Sequence, residues 1–480
     1  MDSTILKLED VEVSLGGKKI LRGISLEIRK GEQWAILGAS GSGKTVLART
    51  LAGQHFFTGR ISGTSGGSGD FQGKVLLVEQ QHRFKDISNQ ADFYYQQRYN
   101  SYDAGGTITV QENLADYPEK GLNGFHKEEL IGLFQLRKLL AEPLIQLSNG
   151  ENKRLQIVKA LLTDHVLLIL DQPFTGLDAE GRKRLSGILN QLGERGEQMI
   201  LITSGRDLPA CFKKVALMDE GRIVGQGSPG DFQSAGSVTP VLPARFPSRI
   251  SFQYPDFEYA VRMQKVNVCY DEKFILRSID WEVKKGACWS LSGPNGAGKS
   301  TLLSLITGDN PQAYANEIYL FDRKRGTGES IWDIKQKTGF LSPELHLYFD
   351  YAATAYSTIA SGLWSTTGLF RTLSEAEHEL MLEWLEFLDL DQYRNRLLGS
   401  LPAGIQRMLL LGRAMVRTPP LLVLDEPCQG LDPEHIEQVK RLIGRYCETY
   451  GATLIFVSHY PEELPACVTR FLRLEKGSIL

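Results

Sequence analysis

Apolar and polar residues follow a regular order along the chain. Near the amino terminus, VEVSL and ISLEI carry an apolar residue at every second position, which is the period of a half-buried β-strand. The short apolar runs WAILG and WSLSG each lead into a Gly-rich loop and an amphipathic helix, while VLLIL and LLVLD are typical of buried strands. This order predicts an α/β fold with a partly parallel core sheet.

This order of elements occurs twice. VEVSLGGKKILRGISLEIRKGE (11–32) aligns with VNVCYDEKFILRSIDWEVKKGA (266–287), and LGASGSGKTVLARTLAG (37–53) aligns with SGPNGAGKSTLLSLITG (292–308). The offset is nearly constant at about 255 residues, as expected for two homologous domains in tandem.

A tract rich in Gly, Ser and Pro separates the two copies. We therefore predict a first domain at 1–235, a linker at 236–256 and a second domain at 257–480. About twenty residues of such composition span roughly 25 Å as a coil, which is enough to fold one half back onto the other.

Composition and charge limit the classes of protein to which this chain can belong. With 42% hydrophobic and 23% charged residues, the chain is typical of a globular protein, and its apolar runs are shorter than the ~18 residues of a membrane span. The start lacks the order of a secretory signal, so we expect a cytoplasmic protein. Lys plus Arg (54) nearly balance Asp plus Glu (57), which gives no evidence for a nucleic-acid partner. Six cysteines without a CxxC pair favour reduced thiols over disulfides or a zinc site.

Two Gly-rich loops carry the candidate chemistry. GASGSGKT (38–45) and GPNGAGKS (293–300) both fit G-x-x-x-x-G-K-[ST], in which backbone N–H groups cradle phosphates, the lysine reaches the terminal phosphates and the hydroxyl holds Mg²⁺. The predicted ATP-binding residues of the loops are Gly38, Ala39, Ser40, Gly41, Ser42, Gly43, Lys44, Thr45, Gly293, Pro294, Asn295, Gly296, Ala297, Gly298, Lys299, Ser300 and Thr301.

An acid ends each later buried strand. Asp171 follows VLLIL and Asp425 ends LLVLD, where a phosphate-loop fold places its second Mg²⁺ contact. We therefore predict Thr45, Ser300, Asp171 and Asp425 as metal ligands; the alternative is that each acid caps the next helix.

The order of the motifs is specific to one family. A phosphate loop, LSNGE (147–151) and LILDQPFTGLD are followed by a second phosphate loop, LPAGI (401–405), LVLDEPCQGLD and FVSH (456–459), so the chain resembles the ATP-binding-cassette (ABC) ATPases. Within the second half, the stretch from 293 to 335 also resembles the family of tandem-cassette, molybdenum-transport ATP-binding proteins (ModF-like). The resemblance implies two tandem ABC-type domains in an intramolecular head-to-tail dimer. Each ATP site would pair one half's phosphate loop with the signature sequence of the other half, which is LSNGE in the first half and LPAGI in the second.

The resemblance implies roles for further residues. Glu426 matches the carboxylate that polarises the attacking water, His459 matches the histidine on the γ-phosphate, and with Lys299 they form the predicted catalytic set. Tyr270 matches the aromatic residue that stacks on adenine. The remaining matches are Ser148 and Gly150 in the signature, Asp178 and Asp432 in the loops across the interface, and Gln80 as a further Mg²⁺ contact.

Four departures from the family pattern share one expected site. Leu15 replaces the stacking aromatic, Gln172 replaces the catalytic acid, Gly205 stands in place of the histidine, and Pro402 replaces the signature serine. Under head-to-tail pairing all four fall on the site of the first phosphate loop. We therefore expect one degenerate and one hydrolytic site, because an amide cannot accept a proton from water.

Two functions remain open. The first is an ATPase subunit docked on a separate membrane permease at the cytoplasmic face of the membrane, importing molybdate or another solute. The second is a switch of the kind that acts on ribosomes or DNA, without coupling to transport. The second half has Ser342, Pro343 and Glu344 where the family has the glutamine that senses the transport partner, which weakens conventional coupling.

Overall fold

The structure is a computed structural model of the 480-residue chain. It describes residues 4–63, 72–79, 108–121, 124–144, 147, 149–203, 205, 208–232, 243, 245–247, 252, 254–270 and 273–480. The described residues before 238 form one compact unit, and those from 238 onward form a second. The domain boundaries within this division stay a prediction.

Among the described residues, the first unit has nine strands and the second has ten, in a similar order along the chain. The strands are β1 Thr4–Leu15, β2 Lys18–Arg29, β3 Trp34–Leu37, β4 Thr58–Gly63, β5 Val75–Val78, β6 Leu167–Asp171, β7 Met199–Ile202, β8 Lys214–Asp219, β9 Arg222–Gly227, β10 Tyr259–Tyr270, β11 Lys273–Lys284, β12 Cys288–Ser292, β13 Glu317–Leu320, β14 Arg323–Lys324, β15 Thr338–Leu341, β16 Leu421–Asp425, β17 Thr453–Val457, β18 Arg470–Glu475 and β19 Ser478–Ile479.

Helices lie between these strands. The α-helices are α1 Lys44–Leu51, α2 Val110–Ala115, α3 Lys127–Leu133, α4 Asn149–Leu162, α5 Ala179–Glu194, α6 Lys299–Thr307, α7 Ile331–Lys337, α8 Pro343–Tyr348, α9 Ala355–Ala360, α10 Glu375–Phe387, α11 Ala403–Met415 and α12 Pro433–Tyr450. Short 3₁₀ helices span Gln72–Lys74, Arg137–Leu139, Pro229–Phe232, Pro311–Ala315, Ser361–Leu363, Asp391–Tyr393, Leu398–Ser400 and Pro461–Glu463.

Each unit is built around a six-stranded, mostly parallel sheet. The strand order is β5-β6-β7-β3-β8-β9 in the first unit and β15-β16-β17-β12-β18-β19 in the second, and only the last strand of each sheet is antiparallel to its neighbour. The second strands in these orders, β6 and β16, consist almost wholly of buried residues, as their continuous apolar sequences predict. The predicted α/β fold with a partly parallel core sheet is confirmed.

A smaller antiparallel sheet accompanies each core sheet. Its strands run in the order β2-β1-β4 in the first unit and β11-β10-β13-β14 in the second. Along β2 the residues Ile24, Leu26 and Ile28 are buried while those between them are exposed. This confirms the predicted alternation, because one face of the strand covers the core and the other meets solvent.

One aromatic residue from the tract predicted as the linker packs into the second unit. Phe246 is 8% exposed, and its ring centroid lies 4.8 Å from that of Phe387 and 5.3 Å from that of Tyr450. A residue this well packed helps to anchor the start of the second unit. Among the described residues, no helix is both long enough and apolar enough to cross a membrane.

Candidate nucleotide site

Both phosphate loops join a core strand to a helix, as the motif requires. The first lies between β3 and α1, and the second lies between β12 and α6. In each loop the last glycine, Gly43 or Gly298, has a left-handed backbone and precedes the first helical residue, so the N–H groups of the first helical turn face the loop. The two predicted phosphate loops therefore have matching backbone geometry, and each presents N–H groups as an anion-binding loop does.

The first glycine of each loop has no room for a side chain. A Cβ added at Gly38 would lie 2.2 Å from the carbonyl oxygen of Met218, and one added at Gly293 would lie 2.2 Å from that of Leu474. Both glycines also have positive φ angles, 148° and 146°. Close backbone approach thus explains why glycine occupies this position in both halves.

The two loop lysines adopt the same conformation. Nζ of Lys44 donates to the carbonyl oxygens of Gly38 and Ala39, both at 2.7 Å, and Nζ of Lys299 donates to those of Gly293 and Pro294 at 2.7 and 3.0 Å. Both lysines are largely buried. Each ammonium group is thus held against its own loop, where the terminal phosphates of a bound nucleotide are expected.

The predicted Mg²⁺ ligands of the first unit lie together. Oγ1 of Thr45 donates to Oδ2 of Asp171 at 2.8 Å, while Oδ1 of this 2%-exposed carboxylate has no hydrogen-bond partner among the described residues. Burial raises the pKa of Asp171, and the bond from Thr45 opposes that shift. A hydroxyl beside a buried carboxylate with a spare oxygen fits Mg²⁺, which prefers oxygen ligands.

Asp425 occupies the corresponding place in the second unit. It ends β16, and burial together with the nearby carboxylates of Glu426 and Glu344 raises its pKa. Ser300 follows Lys299 in α6, as Thr45 follows Lys44. Neither Asp171 nor Asp425 caps a helix; the acids that do are Asp178 and Asp432, which accept backbone N–H groups at 2.7 and 3.0 Å.

Gln172 and Glu426 have the same backbone geometry. Each has a φ angle of 48°, and each donates its N–H at 2.9 Å to the carbonyl of the residue that ends the neighbouring strand, Ile202 or Val457. Such a positive φ is uncommon outside glycine. The two halves therefore place an amide and a carboxylate at equivalent positions, so that the difference between them is chemical rather than structural.

The Glu426 carboxylate lies between two polar partners. Its Oε1 lies 3.0 Å from Nε2 of His459, an ion-pair distance without hydrogen-bond alignment, and its Oε2 accepts from Nε2 of Gln429 at 2.8 Å. Burial acts to raise the pKa of Glu426, but His459, Lys299 and Arg407 together hold it below its usual range. The carboxylate is therefore ionised, as a group that accepts a proton from water must be.

Sequence reasoning missed a buried cation behind this carboxylate. Arg407 in α11 is 2% exposed, and its guanidinium donates at 3.3 Å to Oε1 of Gln429, the residue that contacts Glu426. At the equivalent helix position of the first unit, Lys153 is also buried, and it donates to the backbone carbonyl of Glu79. Burial lowers the pKa of Lys153 to about 8. The sequence positions of Arg407 and Lys153 within their helices do not indicate that either cation lies near the acid at the end of the neighbouring strand.

The remaining predicted residues are only partly described. Tyr270 ends β10, half-buried, with its hydroxyl accepting from Asn310 at 2.9 Å, whereas its counterpart Leu15 is 38% exposed at the end of β1. Gly150 lies in the first turn of α4, and Pro402 immediately precedes α11 without a side-chain cap. Ser148 and Gln80 lie outside the described residues.

The first half's counterpart of His459 stays a prediction. Ile202 pairs with Asp171 as Val457 pairs with Asp425, so the strands that precede the two loops end at equivalent positions. Gly205 lies in the loop after the first of these strands.

Comparison with known proteins agrees with this geometry. The ABC transporter family matches residues 21–175 and 276–429. The ABC transporter ATP-binding protein ModF of Escherichia coli (strain K12) is 32% identical, over 95% of this chain and 94% of its own. An uncharacterised ABC transporter ATP-binding protein of Schizosaccharomyces pombe (strain 972) is 31% identical, over 96% of both chains.

Solved structures share the fold at lower identity. The archaeal ribosome recycling factor aABCE1, solved with the ribosomal stalk protein aP1, is 19% identical with a TM-score of 0.57, over 98% of this chain and 89% of its own. The ribosome-bound archaeal Pelota and ABCE1 model gives 17% identity and a TM-score of 0.63, over 98% of this chain and 78% of the other. At these identities the likeness concerns the fold alone.

Proposed function

Because this chain belongs to the ABC transporter family and is an ABC-type ATPase, we propose that it binds two ATP molecules and hydrolyses the one held by its second phosphate loop. One observation carries the proposal: Glu426 and Gln172 share a backbone geometry, but only the side chain of Glu426 can accept a proton. General-base help of this kind typically contributes ~10²–10⁴-fold to a rate.

The chain's own residues suit this division of work. Lys299 is positioned to bind the terminal phosphates, and Glu426 accepts a proton from the attacking water while His459 lies beside it. Bound Mg²⁺, held by Ser300 and Asp425, would neutralise charge on the phosphates. At the first loop, Lys44, Thr45 and Asp171 can hold nucleotide and metal, but Gln172 cannot act as a base.

The two halves also differ at the residue expected to stack on adenine. Tyr270 would stack on the adenine of the nucleotide at the second phosphate loop, whereas Leu15 offers the first loop no aromatic ring. The site of the first loop therefore lacks both a stacking aromatic and a base. The roles of the signature residues Ser148, Gly150 and Pro402 stay predictions.

Counting trapped nucleotide tests the asymmetry. The protein is mixed with a limited excess of ATP and Mg²⁺, freed of unbound nucleotide by rapid desalting, and its bound ATP and ADP are separated and quantified. The proposal predicts bound ATP that persists while the rest of the bound nucleotide turns to ADP. Conversion of all bound nucleotide at a single rate would overturn it.

For the wider role, we propose that the ATPase serves a transporter, docked on a separate membrane permease and importing a molybdenum oxyanion. Support comes from the similarity to ModF along nearly the whole chain. The permease would carry the solute site. The protein would then work at the cytoplasmic face of the membrane.

One observation favours the alternative, a nucleotide-driven switch that works without a permease on a ribosome or DNA. The strand β15 is followed at once by Ser342, which caps α8 by accepting from Leu345 N–H at 3.0 Å, so no glutamine follows the strand. Glu344 instead lies close enough to raise the pKa of Asp425. The glutamine that would sense a permease is thus missing, and an acid lies near the metal-binding carboxylate.

Affinity purification from detergent-solubilised cells separates the two roles. A permease that co-purifies in stoichiometric amount and changes the ATPase rate supports the transport role. Co-purification with ribosomes or DNA-bound proteins, with an ATPase rate indifferent to membrane fractions, supports the switch. A Glu426→Gln variant, which is expected to hold ATP longer, provides the matched sample that strengthens either complex.

A further inference from the structure

Three thiols from distant parts of the sequence lie together in the second unit. Cys288 opens β12, Cys447 lies near the end of α12, and Cys467 lies in the loop before β18. Their Sγ atoms all lie within 4.8 Å of one another, and among the described residues no other group of three Cys, His, Asp or Glu side chains has metal-binding spacing. Two of the thiols are 6% exposed, and the third is half-buried.

The first unit provides a natural comparison at the same three places. Gln33 precedes β3, Gly193 lies near the end of α5, and Cys211 ends the same LPAC sequence as Cys467. A Cβ added at Gly193 would lie 3.0 Å from Cβ of Cys211, and Cγ of Gln33 would be 3.7 Å away. The positions therefore converge in both units, but only the second unit fills all three with thiols.

The first unit uses one of these positions for a different purpose. Gln33 donates from Nε2 to the carbonyl of Glu197 at 2.6 Å and accepts from the N–H of Met199 at 2.8 Å. The amide thus bridges two strand ends. Cys288, at the same place, makes a long 4.0 Å contact to the carbonyl of Gly286. Its Sγ also lies within 4.8 Å of the Sγ atoms of Cys447 and Cys467.

The arrangement suits soft metal ions. Thiolate ligands select Zn²⁺ and Cu⁺ over harder cations. Zn–S bonds of about 2.3 Å place ligand sulfurs about 3.8 Å apart in tetrahedral geometry, so that shifts of about 1 Å or less would close the three sulfurs on an ion. Cys467 is half-buried rather than fully buried, so solvent reaches the cluster at this residue. For Zn²⁺, a water would complete the four ligands.

We propose that Cys288, Cys447 and Cys467 form a binding site for one thiophilic d¹⁰ cation, Zn²⁺ or Cu⁺. The site lies at the start of β12, whose other end leads into the second phosphate loop at Gly293. A bound ion ties this strand to α12 and to the loop before β18 without contacting the nucleotide. Its role is thus to stabilise the second unit, and it is independent of which site hydrolyses ATP.

Metal stoichiometry tests the site directly. Reduced protein is stripped with a chelator, divided, and offered either ZnCl₂ or a Cu⁺ complex in the presence of a weak competing chelator. After gel filtration, bound metal is measured by mass spectrometry. We expect about one ion per chain in the arm whose metal the site accepts, and X-ray absorption showing three sulfurs at about 2.3 Å for zinc.

Variants assign the ion to these thiols. Cys447→Gly copies the first unit, and Cys288→Ser keeps the size of the side chain; both should lose most of the bound metal. The matched control, Cys211→Ser, removes the first unit's single thiol and should keep the bound metal. Retained ATP binding and an unchanged circular-dichroism spectrum identify variants that fold.

Several outcomes would overturn the proposal. One is a fully reduced wild type that holds neither metal, and another is equal metal content in the wild type and a folded Cys447→Gly variant. A third is X-ray absorption of the wild type with nitrogen or oxygen ligands alone, which needs no variant to fold. A disulfide between two of the three cysteines, found by mass spectrometry in protein that cannot bind metal after reduction, would also reject the site.

Discussion

Replacing Gln429 with leucine should weaken both the fold and the catalysis of the second half. The amide donates at 2.8 Å to Glu426 and accepts at 3.3 Å from Arg407, whose Nε and one further guanidinium nitrogen have no hydrogen-bond partner among the described residues. Leucine is apolar and one bond shorter than glutamine, and it can make neither hydrogen bond. The change therefore leaves a buried guanidinium short of an acceptor and frees one oxygen of the catalytic carboxylate.

The size of the effect follows from these contacts. A hydrogen bond to a charged group is worth about 1.5–3 kcal/mol, and the partial exposure of Gln429 lets water replace part of it. We expect the free energy of unfolding of the second half to fall by about 2 kcal/mol. If about 1.4 kcal/mol of this is also lost from the transition state, the hydrolysis rate falls about tenfold.

Urea unfolding followed by fluorescence, together with phosphate release at saturating ATP, measures both effects. Thr175→Val is the matched control, because Thr175 donates its N–H to Gln172 at 3.2 Å in the same turn in which Gln429 donates its N–H to Glu426 at 3.1 Å. The control should lose at most about 1 kcal/mol and keep its rate. Equal stability losses in the two variants, with unchanged hydrolysis in both, would refute the reasoning about the Arg407–Gln429–Glu426 contacts.

Two further variants test burial in the second unit. Burial, with Arg407 nearby, lowers the pKa of His346 to about 3, below its ordinary 6.5, so below about pH 6.5 the unfolded chain binds a proton that the folded chain does not. The free energy of unfolding should therefore be full above about pH 6.5 and fall by about 1.4 kcal/mol per pH unit below it. The variant His346→Gln should flatten this slope, as measured by urea unfolding at pH 7 and pH 5. Equal slopes for the wild type and the variant would contradict the neutral, buried imidazole. Phe246→Ala should lower the free energy of unfolding by about 3–5 kcal/mol, because the ring is 8% exposed among aromatic neighbours. The control Phe56→Ala, at a fully exposed residue, should lower it hardly at all. Similar urea midpoints for the two variants would contradict the packing of Phe246 in the second unit.

The parts of this protein that the sequence predicted are those encoded in contiguous segments. A phosphate loop needs its glycines, lysine and hydroxyl within eight successive positions, and a buried strand such as β6 is apolar along its whole length. The repeat doubled the strength of each signal. The sequence alone therefore predicted the acids at the ends of these strands.

Features built from separate segments were not predictable in this way. The contact of Arg407 with Gln429 joins a helix to the turn after the next strand, and the three thiols come from a strand, a helix and a loop. The absence of a CxxC pair argued against a zinc site, but spacing detects only ligands that are close in sequence. Phe246 was assigned to a linker because the aromatic residues among Gly, Ser and Pro there follow no period that would reveal burial.

The most direct test of the asymmetry is the steady-state rate of phosphate release from Glu426→Gln and Gln172→Glu, measured beside the wild type at saturating ATP and Mg²⁺. Both substitutions exchange an amide and a carboxylate at positions with the same backbone geometry, so each is the other's control. The account predicts a fall of at least ~10²-fold for Glu426→Gln and a wild-type rate for Gln172→Glu, whose site still lacks its other groups. A doubled rate in Gln172→Glu, or a rate in Glu426→Gln close to that of the wild type, would contradict it.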